Sequence, residues 1–139
     1  MTLTWLYYGE CINFFKYYQS VKIYRFDLLI REMNLSFIST NSSKNGSLTR
    51  ERIRNSAAGN DWKLFNELLD NTPRGNFGNC ALYCDAKEIA PSIIGDHRFN
   101  KANERVARYS SKEVEVRALI EGQFISKRAY AEDFGFNIG

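Results

Sequence analysis

The most regular pattern of apolar and polar positions in this chain lies between residues 111 and 133. Two apolar stripes recur there at helical spacing, on different sides of a helix. The first consists of Val116, Leu119, Ile120 and Phe124, and the second of Val114, Ala118, Gly122, Ile125 and Ala129. Ser110 and Glu113 form a capping box before the stripes, and Gly135 follows them where a left-handed cap belongs. The pattern therefore predicts a helix over 111–133 that is buried on two sides.

Gly122 is the unusual member of this helix. A glycine in a helix interior costs roughly 1 kcal/mol relative to alanine. The second stripe consists mostly of small side chains, which let a neighbouring element come close. We therefore predict that another backbone approaches the helix at Gly122.

A hairpin is predicted near the middle of the chain. Asn45-Gly46 suits a type I′ turn, because that turn needs positive φ at both central residues, and LSFIST and SLTRERI would be its strands. The polar run STNSSKNGS (39–47) is also the best boundary in the sequence. We therefore divide the chain into an aromatic-rich segment, 1–43, and a second part, 44–139. Within the first segment a helix over 10–33 is favoured, although FFKYY fits a strand about equally well.

A short helix is predicted after the hairpin. The sequence NDWKLFNELLDNTP (60–73) places Trp62 and Phe65 on one apolar face. Asn60 or Asp61 can cap this helix, and Pro73 ends it. From spacing alone, Trp62 is expected to pack in the core.

The next segment contains a glycine-rich loop and a strand. RGNFGN (74–79) lacks the Gly-Lys-Ser/Thr that makes a phosphate-binding loop specific, so phosphate binding is disfavoured. NCALYCD (79–85) predicts a short buried strand with Cys80 and Cys84 on the same face. Two thiols without a third cysteine or a histidine make a poor zinc site. We therefore assign no metal ligand.

Other candidate catalytic side chains are also explained better by structural roles. His97 is the only histidine, and no Ser or Cys partner is near it in sequence, so a structural hydrogen bond or a surface position is expected. Asp85 and Glu88 could be an acid pair, but carboxylates in a loop after a strand are more often solvated. Asp61 is a better helix cap than a general base. No catalytic residue is assigned.

Charge and hydropathy exclude two classes of partner. The net charge of +3, from 19 Lys+Arg against 16 Asp+Glu, does not by itself indicate nucleic-acid binding. Charged residues interrupt the apolar N-terminal region, so no segment reaches the ~20 apolar residues of a membrane span. We expect a solvated strand face from the basic run, which consists of Lys44, Arg50, Arg52 and Arg54.

Cysteine content bears on the compartment. No signal peptide is visible, and the odd, sparse set of thiols fits no disulfide framework. The sequence therefore predicts a cytoplasmic protein with reduced cysteines. These are Cys11, Cys80 and Cys84.

Several segments together carry a resemblance to a known family. They are KNGSLTRERIRN (44–55), GNCALYCDAKEIAPSIIGDHRFN (78–100) and VEVRALIEGQFISKRAYAEDFG (114–135). In this order and spacing they resemble the FGGY carbohydrate kinases, and they are most similar to the eukaryotic xylulose kinases. The resemblance covers about 45–136.

The resemblance implies a fold and a reaction. The fold is an incomplete actin-like ATPase (ribonuclease H-like) C-terminal domain of the α/β class, here a hairpin, a short helix, a strand and a long helix. The reaction is the ATP-dependent phosphorylation of D-xylulose to D-xylulose 5-phosphate, with Mg²⁺ and a general-base aspartate. ATP and D-xylulose are thus the partners that the family implies.

The resemblance also implies one ligand contact. Trp62 occupies the place of a tryptophan that contacts the nucleotide in close relatives, so ligand binding and core packing both stay open for it. The sugar-binding domain, the segment with the catalytic aspartate and the glycine-rich adenosine loop have no counterpart here. We therefore expect this chain alone not to be catalytic. The alternative is a non-catalytic truncated product or interaction module, which could self-associate through uncovered apolar faces.

Overall fold

The computed structural model describes residues 45–88 and 92–133. A three-stranded antiparallel sheet packs against the long C-terminal helix, and two shorter helices pack on that same helix, so the architecture is α/β. The helices are Ser47–Ala58 (α1), Trp62–Asp70 (α2) and Lys112–Asp133 (α3), and the strands are Cys80–Cys84 (β1), Gly95–Phe99 (β2) and Arg105–Val106 (β3). The aromatic-rich segment 1–43, with its expected helix over 10–33, lies outside the described residues, as does Gly135. Among the helices described, none combines the length and apolarity of a bilayer span.

The predicted hairpin is wrong, because its second strand is helix α1. Thr49, Ile53 and Ala57 recur every four residues and form the buried stripe of this helix. Gly46 is its N-cap residue, and the Asn45 side chain donates a hydrogen bond to the carbonyl oxygen of Ala86 at 2.9 Å. Asn-Gly therefore precedes a helix instead of closing a turn. The helical spacing of SLTRERIRNSAA outweighs the local turn preference. Arg50, Arg52 and Arg54 of the basic run accordingly lie on a helix and not on a strand face, and Lys44 is outside the described residues.

Helix α2 confirms the predicted short helix. The Asp61 carboxylate accepts a hydrogen bond from the backbone N–H of Lys63 at 2.7 Å, which makes it the N-cap. Phe65 and Leu68 supply the buried face of the helix, which ends at Asp70 before Pro73.

The sheet contains the predicted strand and two that the sequence pattern did not predict. β1 pairs antiparallel with β2, with Cys80 opposite Phe99 and Cys84 opposite Gly95. The two-residue strand β3 continues the sheet beyond β2. The Tyr109 hydroxyl donates towards the carbonyl oxygens of Cys80 and Phe99, at 2.6 and 3.2 Å, and so holds the two strands together at one end.

Helix α3 begins one residue later than the predicted capping box requires. The Val114 N–H donates to the Ser111 hydroxyl at 3.3 Å, so Ser111 is the cap instead of Ser110. Burial on two sides is confirmed, because Val116, Leu119 and Ala129 are all completely buried. Phe124 departs from the pattern, since 67% of it is exposed.

The close approach predicted at Gly122 is confirmed. A Cβ atom added there would overlap the carbonyl oxygen of Ala81 and lie 3.1 Å from its carbonyl carbon. The neighbour is therefore the backbone of β1, which cannot move aside as a flexible side chain could. This contact sets how closely the sheet packs on α3.

The cysteines differ in state. Cys80 forms a disulfide, so the expectation of reduced thiols is wrong for that residue. Cys84 is a free thiol, buried at the end of β1. Burial, reinforced by the negative charges of Glu88, Asp85 and Asp96, raises the pKa of Cys84 to about 12.

The first prediction concerns the helix–strand contact. We expect Gly122→Ala to lower the free energy of unfolding by up to about 2 kcal/mol. Overpacking of this kind costs roughly 1–3 kcal/mol and alanine returns only about 1 kcal/mol of helix propensity. Denaturant unfolding measures the difference. Ser126→Ala on the same helix is the matched control and should be neutral or slightly stabilising. A Gly122→Ala protein at least as stable as the wild type would show that the two backbones are not in contact.

The second prediction concerns Cys84. A thiol with a raised pKa is protonated at neutral and mildly alkaline pH, and the thiolate is the form that reacts. We expect iodoacetamide to label Cys84 at least about tenfold more slowly in the folded protein than in denaturant. Peptide-resolved mass spectrometry separates its label from those of the other cysteines. Equal rates in the two states would refute both the burial and the raised pKa.

Candidate functional site

The side chain of Trp62 is partly exposed on the described surface. It is the first residue of α2, and 43% of it is exposed. Its ring meets the Phe65 ring edge to face, with centroids 5.3 Å apart and an interplanar angle of 76°. Phe65 is the member of this pair that is buried in the core. The indole is therefore anchored by its neighbour while part of its surface stays open to solvent.

A cation covers one part of the same indole. The Arg54 guanidinium carbon, from the last turns of α1, lies 4.5 Å from the Trp62 ring centroid. Arg54 in turn donates to the side-chain oxygens of Asn55, at 2.8 and 3.1 Å, and Asn60, at 2.5 Å. Asn60 has a left-handed backbone conformation with φ of 69°, which asparagine tolerates better than most residues. The loop between α1 and α2 thus brings an arginine, an indole and two amides together.

A second polar cluster links α1, the sheet and α3. Arg52 pairs with Asp85 and Asp96, each at 2.7 Å. Arg98 of β2 pairs with Asp96 at 2.9 Å and with Glu115 of α3 at 2.6 Å. The three carboxylates are held by arginines, so none of them is placed as a general base.

The Tyr83 ring lies near both arginines of this cluster. The Arg52 and Arg98 guanidinium carbons are 5.9 and 5.1 Å from its ring centroid. Burial raises the pKa of Tyr83 well above its ordinary value, and the charge of Glu115 adds to the effect. A buried phenol that stays protonated beside two arginines suits structural support of the sheet.

The remaining candidate acids and the histidine also have structural roles. Glu88 accepts hydrogen bonds from the backbone and side chain of Asn45, at 3.2 and 2.6 Å, while Asp85 pairs with Arg52, so the two do not act as an acid pair. The ring nitrogen Nε2 of His97 donates to the Ile94 carbonyl at 3.0 Å, as expected for a structural hydrogen bond. In the stretches 45–88 and 92–133, no three side chains of His, Cys, Asp or Glu converge as metal ligands would.

The glycine-rich loop is held from inside the protein. The Gly75 N–H donates to the Glu121 carboxylate at 3.0 Å. Gly75, Asn76, Phe77 and Gly78 all have positive φ, between 46° and 86°. A carboxylate therefore occupies a position where a phosphate-cradling loop would offer a free N–H.

A cavity of about 180 Å³ lies between β1, the start of α1 and the second half of α3. Arg50, Gln123, Lys127 and Tyr130 contribute to its wall, whereas neither Trp62 nor Arg54 does. Arg50 and Gln123 are bonded to each other at 2.9 Å. The cavity is thus separate from the site around Trp62, and two of its polar lining side chains already hydrogen-bond to each other.

The family resemblance pointed to Trp62, but not to the side chains around it. Arg54 was assigned to a strand face, and Asn60 was considered only as a cap. Once α1 is recognised as a helix that ends near Gly59, the short loop that follows brings Arg54 and Asn60 next to Trp62. The signal that could have revealed this is the helical spacing of Thr49, Ile53 and Ala57.

Comparison with known proteins gives a consistent set of relatives. The chain is 50% identical over 95 residues to xylulose kinase of Mus musculus, which is 68% of this chain and 17% of that protein. The same identity and length hold for xylulose kinase of Rattus norvegicus, of which 18% is covered. Xylulose kinase 2 of Arabidopsis thaliana is 44% identical over an alignment of 103 residues. The alignment covers 66% of this chain and 18% of that protein.

These matches are partial on both sides. No protein-family model matches the chain, and the chain spans less than a fifth of the length of the curated relatives it matches. Identity of 44–50% over about 100 residues nevertheless reflects common ancestry and not chance. The chain is therefore a relative of the xylulose kinases, matched along a segment of their length.

Proposed function

We propose that this chain contributes the nucleotide-binding side of an ATP-dependent carbohydrate kinase that converts D-xylulose to D-xylulose 5-phosphate. The observation that carries the proposal is the 50% identity to a protein named xylulose kinase over 95 residues. The sugar specificity follows from that name alone, since no residue of the described segment is assigned to the sugar. ATP and Mg²⁺ are the cofactors that this reaction needs.

The proposal includes a fold. We assign the described segment to an actin-like, ribonuclease H-like C-terminal domain, of which it is one part. The antiparallel sheet with helices packed against it is compatible with that assignment. The identity to the xylulose kinases supports it further.

Trp62 is the proposed nucleotide contact. Aromatic side chains bind bases by stacking, and this contribution is roughly 1–3 kcal/mol per base where it has been measured in nucleic-acid complexes. The half-exposed indole has an anchored ring and open surface, which suits that role. Because Asp85, Asp96 and Glu115 are held by arginines, we assign the segment binding and not proton abstraction.

An interaction module is the second candidate. Four large apolar side chains are each at least 61% exposed, and they would supply the contacts of such a module. They are Leu48, Phe77, Ile94 and Phe124. Such a module would bind no nucleotide, so nucleotide binding separates the two candidates.

The third prediction is a fluorescence titration. Trp5 and Trp62 are the two tryptophans, so Trp5→Phe isolates the Trp62 signal. We expect millimolar ATP to quench it saturably, because a stacked base quenches indole emission. The Trp62→Phe protein, which retains Trp5, is the control and should show no saturable change.

A coupled assay on the same protein completes the test. We expect D-xylulose-dependent ATP turnover no higher than in a heat-denatured control, because Asp85, Asp96 and Glu115 are held by arginines and a reaction without its general base is slower by roughly 10²–10⁴. ATP binding without turnover supports the proposal. No response of Trp62 to ATP would reject the nucleotide site, and turnover would reject the assignment of binding alone.

A further inference from the structure

Arg54 is in an unusual position for a surface arginine. Its guanidinium lies on the Trp62 ring at 4.5 Å, yet its hydrogen-bond acceptors are the neutral amide oxygens of Asn55 and Asn60. An arginine that served stability through charge would more often pair with a carboxylate, as Arg52 and Arg98 do here. The arrangement fixes the plane of Arg54 without neutralising it.

The loop conformation supports this fixed orientation. Asn60 has φ of 69°, a value that glycine adopts more easily than any other residue. Asparagine at this position adds a side-chain oxygen, and that oxygen accepts a hydrogen bond from the Arg54 Nη2 atom. The asparagine therefore supplies an acceptor for Arg54 that glycine would lack.

Trp62 is consequently held on two sides. Arg54 covers one region of the ring and Phe65 meets it edge to face, while 43% of the residue stays exposed. A ring confined in this way has less rotamer freedom to lose when a flat ligand stacks on its open surface.

We propose that Arg54, held by Asn55 and Asn60, is a positioning residue that orients the Trp62 indole so that its open surface stacks on a nucleobase. This inference rests on the proposed function, since it assumes that Trp62 takes the base of ATP. It assigns Arg54 a role in orienting the ring and none in contacting phosphate. The binding affinities of adenosine and ATP should therefore depend on Arg54 to the same degree.

The fourth prediction compares variants of Arg54 in the full chain with Trp5→Phe. Arg54→Gln should lower the affinity for both adenosine and ATP by about two- to fivefold, which corresponds to the usual strength of an exposed cation–π contact. Arg54→Lys should not rescue the affinity, because an ammonium lacks the planar fork that spans two amide oxygens. Steady-state anisotropy of Trp62 should fall in both variants, with the melting temperature unchanged.

Two further variants sharpen the comparison. Asn60→Gly keeps a residue that accepts the left-handed conformation but removes the acceptor, so it should reproduce the weaker binding without loss of stability. Lys63→Gln removes an equal charge from the residue after Trp62 and is the matched control. It should change neither the affinities nor the anisotropy.

Each outcome decides between the alternatives. Equal weakening of adenosine and ATP, with lower anisotropy, supports the positioning role. Wild-type affinities in the Arg54 variants would overturn it, and so would weakening of ATP alone, which would make Arg54 a phosphate contact. If Trp62 of the parent protein responds to neither ligand, the proposed function fails instead. The anisotropy then still tests whether Arg54 orients the ring, and unchanged anisotropy would reject that as well.

Discussion

The contact between Gly122 of α3 and the backbone of Ala81 in β1 determines how the rest of the described structure fits together. Helix and strand meet there backbone to backbone, at a distance that leaves no space for a Cβ atom. The neighbours of Gly122 then reach two other segments. Glu121 accepts the Gly75 N–H at 3.0 Å, and Gln123 donates to the carbonyl oxygen of Asn45 at 3.0 Å. One turn of α3 therefore holds the strand, the glycine-rich loop and the start of α1.

The same helix also fixes the element that carries the candidate ligand site. Arg117 donates to the carbonyl oxygens of Leu69 and Thr72, at 2.5 and 2.6 Å, at the end of α2. Leu69 lies in the last turn of this helix and Thr72 just after it. With its C-terminal end held by α3, α2 presents Trp62 at its other end, beside Arg54 of α1. The position of the indole thus depends on packing that lies well away from it.

Much of this arrangement follows from the sequence, and the exceptions have identifiable physical causes. Helical spacing and small side chains predicted α3 and the approach at Gly122, since both are properties of one continuous element. The Asn-Gly turn preference did not determine the structure of α1. Burial of Ile53 and its neighbours on a helix stabilises the folded chain more than a local turn would. Strand β2 was missed because GDHRF is polar. The Arg98 side chain of this strand donates a hydrogen bond to Glu115, 17 residues away in sequence. No local sequence pattern reveals such a pairing.

The candidate site was predictable only in part. Trp62 was identified through the resemblance of its surroundings to a kinase family, and spacing alone favoured the core. Arg54 could not be placed beside it until α1 was known to be a helix. The proposed reaction class likewise rests on similarity to the xylulose kinases, whereas the geometry of the arginine, the indole and the two asparagines comes from the folded chain.

The most direct test of this account is whether Gly122 and Ala81 are neighbours in solution. In an isotope-edited NOESY spectrum, we expect cross-peaks between the Hα protons of Gly122 and the protons of Ala81. The β1–β2 partners Leu82 and His97 provide an internal reference, because they lie opposite each other in the sheet. Cross-peaks for both pairs would confirm the contact. Absence of the Gly122–Ala81 peaks in a spectrum that shows the reference pair would contradict it.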